Sequence, residues 1–444
     1  MVLGYFKKLF GTEEKRDTLD SYQLGICQKK ISKGALDTVE ILQRDGWQAF
    51  IVGGAVRDLI VGKKPKDFDV VTNAKPSEIK KLFKRCRLIG RRFKLVHIYL
   101  SNEVIEVSTF RSNSSDHLKK QDEYGRILND NIFGEQDEDA TRRDLTVNAL
   151  YYDPIKEEIY DYHSGFDDIR NKELKIIGDP SKRFAEDPVR MIRTIRFACK
   201  LDFKINRSVA EAIYSQAHLV QNVPKARLTE DIIKLLLSGN SKLGIRLLEK
   251  FQLNQHIFLS KVMDSRSENI SLKNNDEDFN LAKLALKELD SRVKEEKSVS
   301  IGFVLAAFFW ILVNRVNLRL KGKFRSESLA LHAAVKETLR VCSSELWIQK
   351  KHLLSMREIW LMQNRFLKFN GKLPFRLLEN ERFTLALRFL SLRARNGEIS
   401  SLIPEWWDLF SKASSRERVS SIEKMKMVYN KSGYAGKRNT KRKR

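Results

Sequence analysis

Phe50-Ile51-Val52-Gly53-Gly54-Ala55-Val56-Arg57-Asp58, followed shortly by Lys66-Asp67-Phe68-Asp69-Val70-Val71, is the stretch whose reading decides the fold. Phe50–Val52 predicts a short apolar strand ending in a Gly-Gly turn. Without Cβ atoms, Gly53 and Gly54 let the backbone bend sharply and approach a ligand, so their amides can cradle a phosphate. A helical pattern, Ala55–Val61, starts from that turn. Asp67 and Asp69 lie two apart in a β-branched run, which predicts side chains leaving a strand on one face. Adjacent carboxylates raise each other's pKa unless cations sit between them. Beside a phosphate cradle the natural cations are Mg²⁺ ions, which combine few protein carboxylates with phosphate oxygens. The pattern predicts two-ion phosphoryl transfer with Asp67 and Asp69 as metal ligands. An Asp-x-Asp pair alone is usually a solvated strand end; the joint spacing carries the reading.

The rest of the chain bounds the setting. Its 444 residues are too many for one core and predict about two to four domains. A hydrophobic fraction of 42% excludes global disorder. Lys+Arg 83 against Asp+Glu 57 gives a net charge of +26, which forecasts a polyanionic partner, nucleic acid before an acidic membrane surface. Cys27, Cys86, Cys199 and Cys342 follow no metal-ligand spacing and read as reduced thiols of a cytoplasmic protein. No histidine precedes an aspartate, so the His-Asp dipeptide of metal phosphohydrolases is missing. Met1–Gly11, with Leu3, Phe6, Leu9 and Phe10, is too short for a signal peptide and reads as a frayed arm. Ser298–Asn314 is transmembrane-like but sits at the lower limit of about 17–25 residues, inside an amphipathic helical region; it reads as a buried central helix.

Residues 1–28 read as a polar leader. Ile31–Gly46 predicts a helix with Ala35, Val39 and Leu42 inward. After the glycine turn come a helix from Pro76 to Phe83 and strands at Cys86–Ile89, Val96–Leu100 and Val104–Phe110. Ser112–Asn131 lacks periodicity and reads as a mobile loop beside the site. Ile159–Ile177 predicts two short strands around His163-Ser164-Gly165. From Asp179 the chain reads as helical, with Pro188–Leu201, Val209–Gln216, Ala226–Leu237 and Lys242–Phe251 at 3.6-residue spacing. Asp264–Phe279 is a polar break and Asn317–Ser326 a basic linker. Ser411–Arg444 loses periodicity and reads as a disordered cationic tail. The fold class is an α/β head with a mixed β-sheet and helices, followed by an all-α remainder.

Three further constellations carry chemistry. Glu106, between Ile105 and Val107, is read as a partner of the acid pair in preference to a sheet-edge residue facing water. Arg142 and Arg143 suit bidentate grip of a triphosphate, while Asp144 and Asn148, one helical turn apart, suit ribose and phosphate contacts; an N-cap with a surface charge pair is the plainer alternative. Glu186-Asp187-Pro188-Val189-Arg190 predicts a helix start with Asp187 as N-cap. Asp187 and Arg190 then form an acceptor/donor pair able to read a nucleobase edge, although a capping Asp with a surface salt bridge is commoner.

These motifs occur in the order seen in the class II nucleotidyltransferases, which include tRNA CCA-adding enzymes and bacterial poly(A) polymerases. The resemblance spans roughly residues 30–250. Leu88-Ile89-Gly90-Arg91-Arg92-Phe93-Lys94-Leu95-Val96-His97 resembles the segment that marks the poly(A) polymerase branch. Lys63–Ala74, Asp130–Gly134, Ala226-Arg227-Leu228 and the basic C-terminus agree with it. One departure is Ser164-Gly165, where the family often has Gly-Gly.

The resemblance implies a head (29–178), a neck that selects adenine and binds RNA (179–252), a body (253–410) and the basic tail (411–444). It implies a template-independent adenylyltransferase acting on ATP and single-stranded RNA 3′ ends; separately, the chain is expected to be a monomer, and the basic tail to be available for contact with a protein or membrane surface. By carry-over, Asp67 and Asp69 bind the catalytic Mg²⁺ ions, and Asp144 or Glu106 is the third catalytic carboxylate. Gly53, Gly54 and Arg57 hold the triphosphate; Arg142, Arg143 and Asn148 hold ribose and phosphate; Asp187 and Arg190 face the base. Trp406 and Trp407 are candidates for stacking RNA bases, with core packing expected for at least one. A CCA-adding enzyme, which shares every motif except the Arg91-Arg92-Phe93 segment, and an inactive RNA-binding scaffold are the rivals.

Overall fold

The computed structural model describes residues 16–90, 94–100, 103–112, 133–257 and 280–431. The chain divides into two compact units, Met1–Val223 and Pro224–Arg444, so the boundary falls inside the stretch expected to be one neck. The Arg91-Arg92-Phe93 segment, nearly all of the Ser112–Asn131 loop and the last residues of the tail lie outside the described residues.

The first unit is built on strands β1 (Asp17–Asp20), β2 (Ala49–Val52), β3 (Asp69–Thr72), β4 (Cys86–Ile89), β5 (Leu95–Tyr99), β6 (Val104–Thr109), β7 (Leu150–Asp153) and β8 (Glu158–Asp161). They form one mixed sheet in the order β1-β8-β7-β2-β3-β6-β5-β4. Only β3 and β6 pair in parallel among these. Helix α1 (Lys33–Arg44) is capped by Ser32, whose hydroxyl accepts from Ala35 N at 3.2 Å. Its Ala35, Val39 and Leu42 are fully buried, as the periodicity predicts. α2 (Gly54–Ile60) leaves the glycine bend, and α3 (Pro76–Leu82) starts at its proline. α4 (Gln136–Thr141) and a 3₁₀ turn, Thr146–Asn148, lead into β7. On one face of the sheet Phe50 packs with Phe110, Tyr151 and Tyr160.

Three expectations for this unit are corrected. The leader is ordered from β1 onward: Asp17–Asp20 pair with β8, and Ser21 and Ile26 are buried beneath. Its polar composition suits an edge strand, which has one row of backbone groups facing water. Of the two strands expected around His163-Ser164-Gly165, β8 precedes the turn, but the turn opens α5 (Gly165–Arg170) and the second strand, β9 (Glu173–Leu174), follows only after that helix. Ser164 there has φ 54°, ψ 34°, a conformation glycine adopts at less cost. A separate helix α6 (Pro180–Glu186), capped by Asp179, precedes α7, which spans Val189–Leu201. Asp187 therefore ends one helix, and Pro188, not Asp187, is the N-cap of the next. β10 (Lys204–Ile205) pairs with β9, and α8 (Arg207–Gln216) completes the unit.

The second unit is helical: α9 (Lys225–Leu236), α10 (Ser241–Lys250), α11 (Asn280–Lys294), α12 (Ile301–Leu320), α13 (Glu327–Glu345), α14 (Lys350–Arg365), α15 (Leu373–Leu378), α16 (Phe383–Arg395), α17 (Leu402–Lys412) and α18 (Ser415–Lys431). α12 is the transmembrane-like segment, and its Phe303–Ala307, Phe309, Trp310 and Val313 are buried against α11, α13, α14 and α16, as a central core helix requires. A Cβ on Gly302 would come within 2.6 Å of Ser355 Cβ, so glycine is what admits α14 this closely. α12 runs on to Leu320, which shortens the expected linker to the residues before Glu327. The expected disordered tail is helical over Ser415–Lys431 because Ile422 and Met425 dock into the core. Trp407 is fully buried and donates to Phe366 O at 2.9 Å; Trp406 donates to Ser421 O at 3.2 Å and stacks on Phe410 at 4.7 Å. Both indoles belong to the core, which removes them as RNA-stacking candidates.

Candidate active site

The glycine bend, the acid pair and the arginine turn meet at one end of the sheet. Gly53 has φ 76°, ψ −127°, open to glycine and strained for other residues. A Cβ there would lie 3.6 Å from Arg143 Nη1 and 3.7 Å from Asn148 O, so the bend runs along the arginine turn. The Gly53 amide donates to Leu150 O at 3.3 Å and is thereby engaged in tying the bend to β7.

Asp69 opens β3 opposite Val52, the last residue before the bend. Asp67 precedes the strand, not within it, because β2 turns away at Gly53 and leaves it no partner. Across the parallel pair Asp69 faces Glu106, whose own cross-strand neighbour His97 brings Nε2 to 3.1 Å from Glu106 Oε1. Asp67, Asp69 and Glu106 are all open to solvent at their tips. Even so, the protein crowded around Asp69 pushes its carboxyl up to about 6: burial contributes most, then Glu106, and Asp67 adds to it, while Arg143 works the other way. An open concavity explains both observations, since water reaches the oxygens while protein surrounds them on the remaining sides.

Arg143 is fixed by partners that adjacent sequence does not reveal. Its Nε and Nη2 donate to Asp139 Oδ2 at 3.2 and 3.0 Å, and Nε also donates to Tyr151 Oη at 2.9 Å. Tyr151 in turn donates to Asp139 Oδ2 at 2.8 Å. Burial opposes charge on Arg143, but Tyr151 and Asp139 outweigh it and hold the guanidinium above its usual pKa. Burial keeps Tyr151 itself neutral, so Asp139 is the counter-ion at neutral pH. Arg142 is pushed down to about 10, by burial first and then by Arg111, Arg183, Arg190 and Arg143. Such a gathering of guanidinium groups suits recognition of a phosphate.

Arg57 stands differently from its expected place. It is 1% exposed, with Nε and Nη2 donating to Asp58 Oδ1 at 2.9 and 2.6 Å and Nη1 donating to Asn148 Oδ1. Asn148 Nδ2 donates to Asp144 Oδ1 at 3.4 Å, and Lys200 reaches Asp58 Oδ2 at 3.4 Å. Arg57, Asp58, Asn148 and Asp144 thus form a chain of polar contacts beneath the bend.

Arg190 Nη1 donates to Glu186 Oε2 and to Arg183 O, both at 2.9 Å, so its ion pair is with Glu186. Arg183 joins this group to the arginine turn: Nη1 donates to Glu186 Oε2 at 3.0 Å, and Nη2 to Arg142 O at 2.8 Å and Arg143 O at 2.7 Å. Sequence reasoning missed Arg183, Asp139 and Tyr151. Only Asp139 carried a local signal, being four residues before Arg143.

A mixed sheet that sets an acidic edge against a nest of arginines defines a class of protein, the nucleotidyltransferases. The family model for the poly A polymerase head domain matches residues 49–175, that for the probable RNA and SrmB-binding site of polymerase A matches 202–263, and that for the polymerase A arginine-rich C-terminus matches 324–444. Poly(A) polymerase I of Haemophilus influenzae is 37% identical over 427 residues, covering 94% of this chain and 92% of that protein. The chain belongs to the bacterial poly(A) polymerase I family of class II nucleotidyltransferases. A CCA-adding enzyme of Enterococcus faecalis is 36% identical, but over 48% of this chain and 51% of its own length, a more distant relation. A solved tRNA-processing enzyme (apo form) shares the fold, with TM-score 0.59 at 19% identity, covering 90% of this chain and 98% of that one. Enzymes of this family use divalent metal ions.

Proposed function

We propose that this chain is a template-independent polynucleotide adenylyltransferase of the cytoplasm. The 3′ hydroxyl of a single-stranded RNA attacks the α-phosphate of ATP, the bond to the β-phosphate breaks, pyrophosphate leaves, and the RNA gains one AMP per cycle. One observation carries the reading: the acidic edge of Asp67, Asp69 and Glu106 faces a rigidly held Arg143 with further guanidinium groups behind it. Burial and like charge around Asp69 leave that edge short of positive charge, which fits divalent cations. Asp67 and Asp69 would hold two Mg²⁺, with Glu106 as the third carboxylate beside them. When bound, the ions favour the deprotonated hydroxyl and neutralise charge on the phosphates.

The chain's own residues position the rest. Arg142 and Arg143 grip the triphosphate, and Arg143 does so from a place fixed by Asp139 and Tyr151. Gly53 and Gly54 let the phosphates come close to the backbone. Arg57, being buried, acts as a positioning residue that holds Asn148 and, through it, Asp144. Asp187 and Arg190 read the adenine edge.

Incubating the purified chain with RNA and either ATP or CTP tests this. The expected result is a ladder of added adenylates, with Asp69→Asn reduced by about 10²- to 10³-fold, as for loss of one electrostatic group at a reacting centre. Efficient CTP use with growth halting at a CCA end would assign the other branch of the family. Full activity of Asp69→Asn would refute the site.

A further inference from the structure

In the second unit one large aromatic side chain is held outside the core. Trp347 is 57% exposed, while Leu346 and Ile348 on either side are buried, at 6% and 8%. The chain leaves α13 in extended form at Leu346 (φ −119°, ψ 146°), and this alternation turns the neighbours inward and the indole outward. The segment is pinned to α9 twice: Trp347 N donates to the buried Thr229 Oγ1 at 3.3 Å, and Lys225 Nζ donates to Ser344 O at 2.5 Å. With its neighbours packed and its backbone tied, the indole cannot fold back to escape water.

Lysines stand near it in the chain and in the fold. Lys350 and Lys351 open α14, whose first turn holds no acidic residue, and Lys225 is held at Ser344, three residues before the indole. All three lysines are exposed, and among the described residues none forms an ion pair. A fixed π face flanked by unneutralised ammonium groups suits a nucleobase whose phosphates continue on either side. α9 lies within the residues matched by the RNA-binding-site family model, whereas Trp347 lies outside them.

We propose that Trp347 is a stacking platform for a base of single-stranded RNA, with Lys350 and Lys351 on the flanking phosphates. This rests on the adenylyltransferase reading and adds a second place where the RNA is held. The test is binding of a fluorescein-labelled oligoadenylate across a salt series, together with the KM for ATP. Trp347→Ala is expected to weaken RNA binding by about 5- to 100-fold, as loss of one base–aromatic stack does. The KM for ATP stays unchanged, and Trp347→Phe restores most of the affinity. Trp347→Ala leaves the slope of log Kd against log salt as it was, whereas Lys350→Gln/Lys351→Gln lowers it by about 1 to 2. RNA affinity of Trp347→Ala within twofold of the parent overturns the proposal and reassigns the indole to a protein partner. Failure of the parent chain to bind or extend the oligonucleotide would instead defeat the reading of function.

Discussion

The two units solve the same problem of burial with different materials. Beneath its catalytic edge the first unit buries Arg57, Asp58, Asp139, Asn148 and Tyr151, each held by directional bonds. The second buries Trp310, Trp360, Trp407, Phe366 and Phe389 around α12, and the indole N–H groups are satisfied by Glu398, Ala306 and Phe366. A buried charge network gives little net stability but fixes geometry, because each member has few alternative arrangements. An aromatic core contributes large apolar burial instead, with ring packing of its own. Stability and chemistry are therefore separable in this chain to an unusual degree.

The most severe test removes Trp407. Trp407→Ala is expected to destabilise the second unit by about 3–5 kcal/mol in urea denaturation, with ATP affinity of the folded protein unaltered. A parallel loss of ATP affinity would show that the units are not separable in this way. The converse test is Arg183→Ala, which should lower kcat/KM for ATP by about 10- to 100-fold, through bonds to charged partners worth roughly 1.5–3 kcal/mol. The midpoint of urea unfolding should shift far less than for Trp407→Ala, and Arg183→Lys should recover only part of the loss because an ammonium cannot serve both carbonyls and Glu186 at once. Equal effects on unfolding and kcat/KM would make Arg183 a plain structural residue.

The smallest effect sharpens the electrostatics of the first unit. Asp69 binds its proton more tightly when folded, with a pKa of about 6 against 3.8 unperturbed. Its contribution to stability is therefore fully present below 3.8 and lost as pH rises through about 6. In EDTA, the parent should lose up to about 1 kcal/mol relative to Asp69→Asn between pH 4 and 7, the open face of the carboxylate screening the rest. A difference independent of pH would mean that neither burial nor Glu106 and Asp67 raise its pKa.

What the sequence made legible was local. The glycine bend, α1, the strands from β2 to β6, most helices and the Asp67/Asp69 spacing follow from patterns within a few residues, whereas Glu106 joins the pair only through the parallel β3–β6 pairing. β1 escaped notice because its partner, β8, is far along the chain and its residues are polar. α18 escaped because two side chains, Ile422 and Met425, carry its docking. Arg57 looked like a phosphate ligand from its place after the bend; its burial depends on Asp58, Asn148 and the Phe197 ring 5.1 Å away, two of which are remote in sequence. The Asp139–Arg143–Tyr151 triangle and the Arg183 brace are likewise products of tertiary folding.

The central helix α12 has a further consequence for how the protein is made. The helices α13, α14 and α16 that cover it are all encoded downstream, the last ending at Arg395. At ribosomal rates of about 5–20 residues per second, the most apolar segment of the chain waits seconds for its shelter. During that interval it meets the length and hydropathy by which a membrane-spanning helix is recognised. Until then Ile301–Leu320 is the helix of this chain with the most apolar surface still to be sheltered.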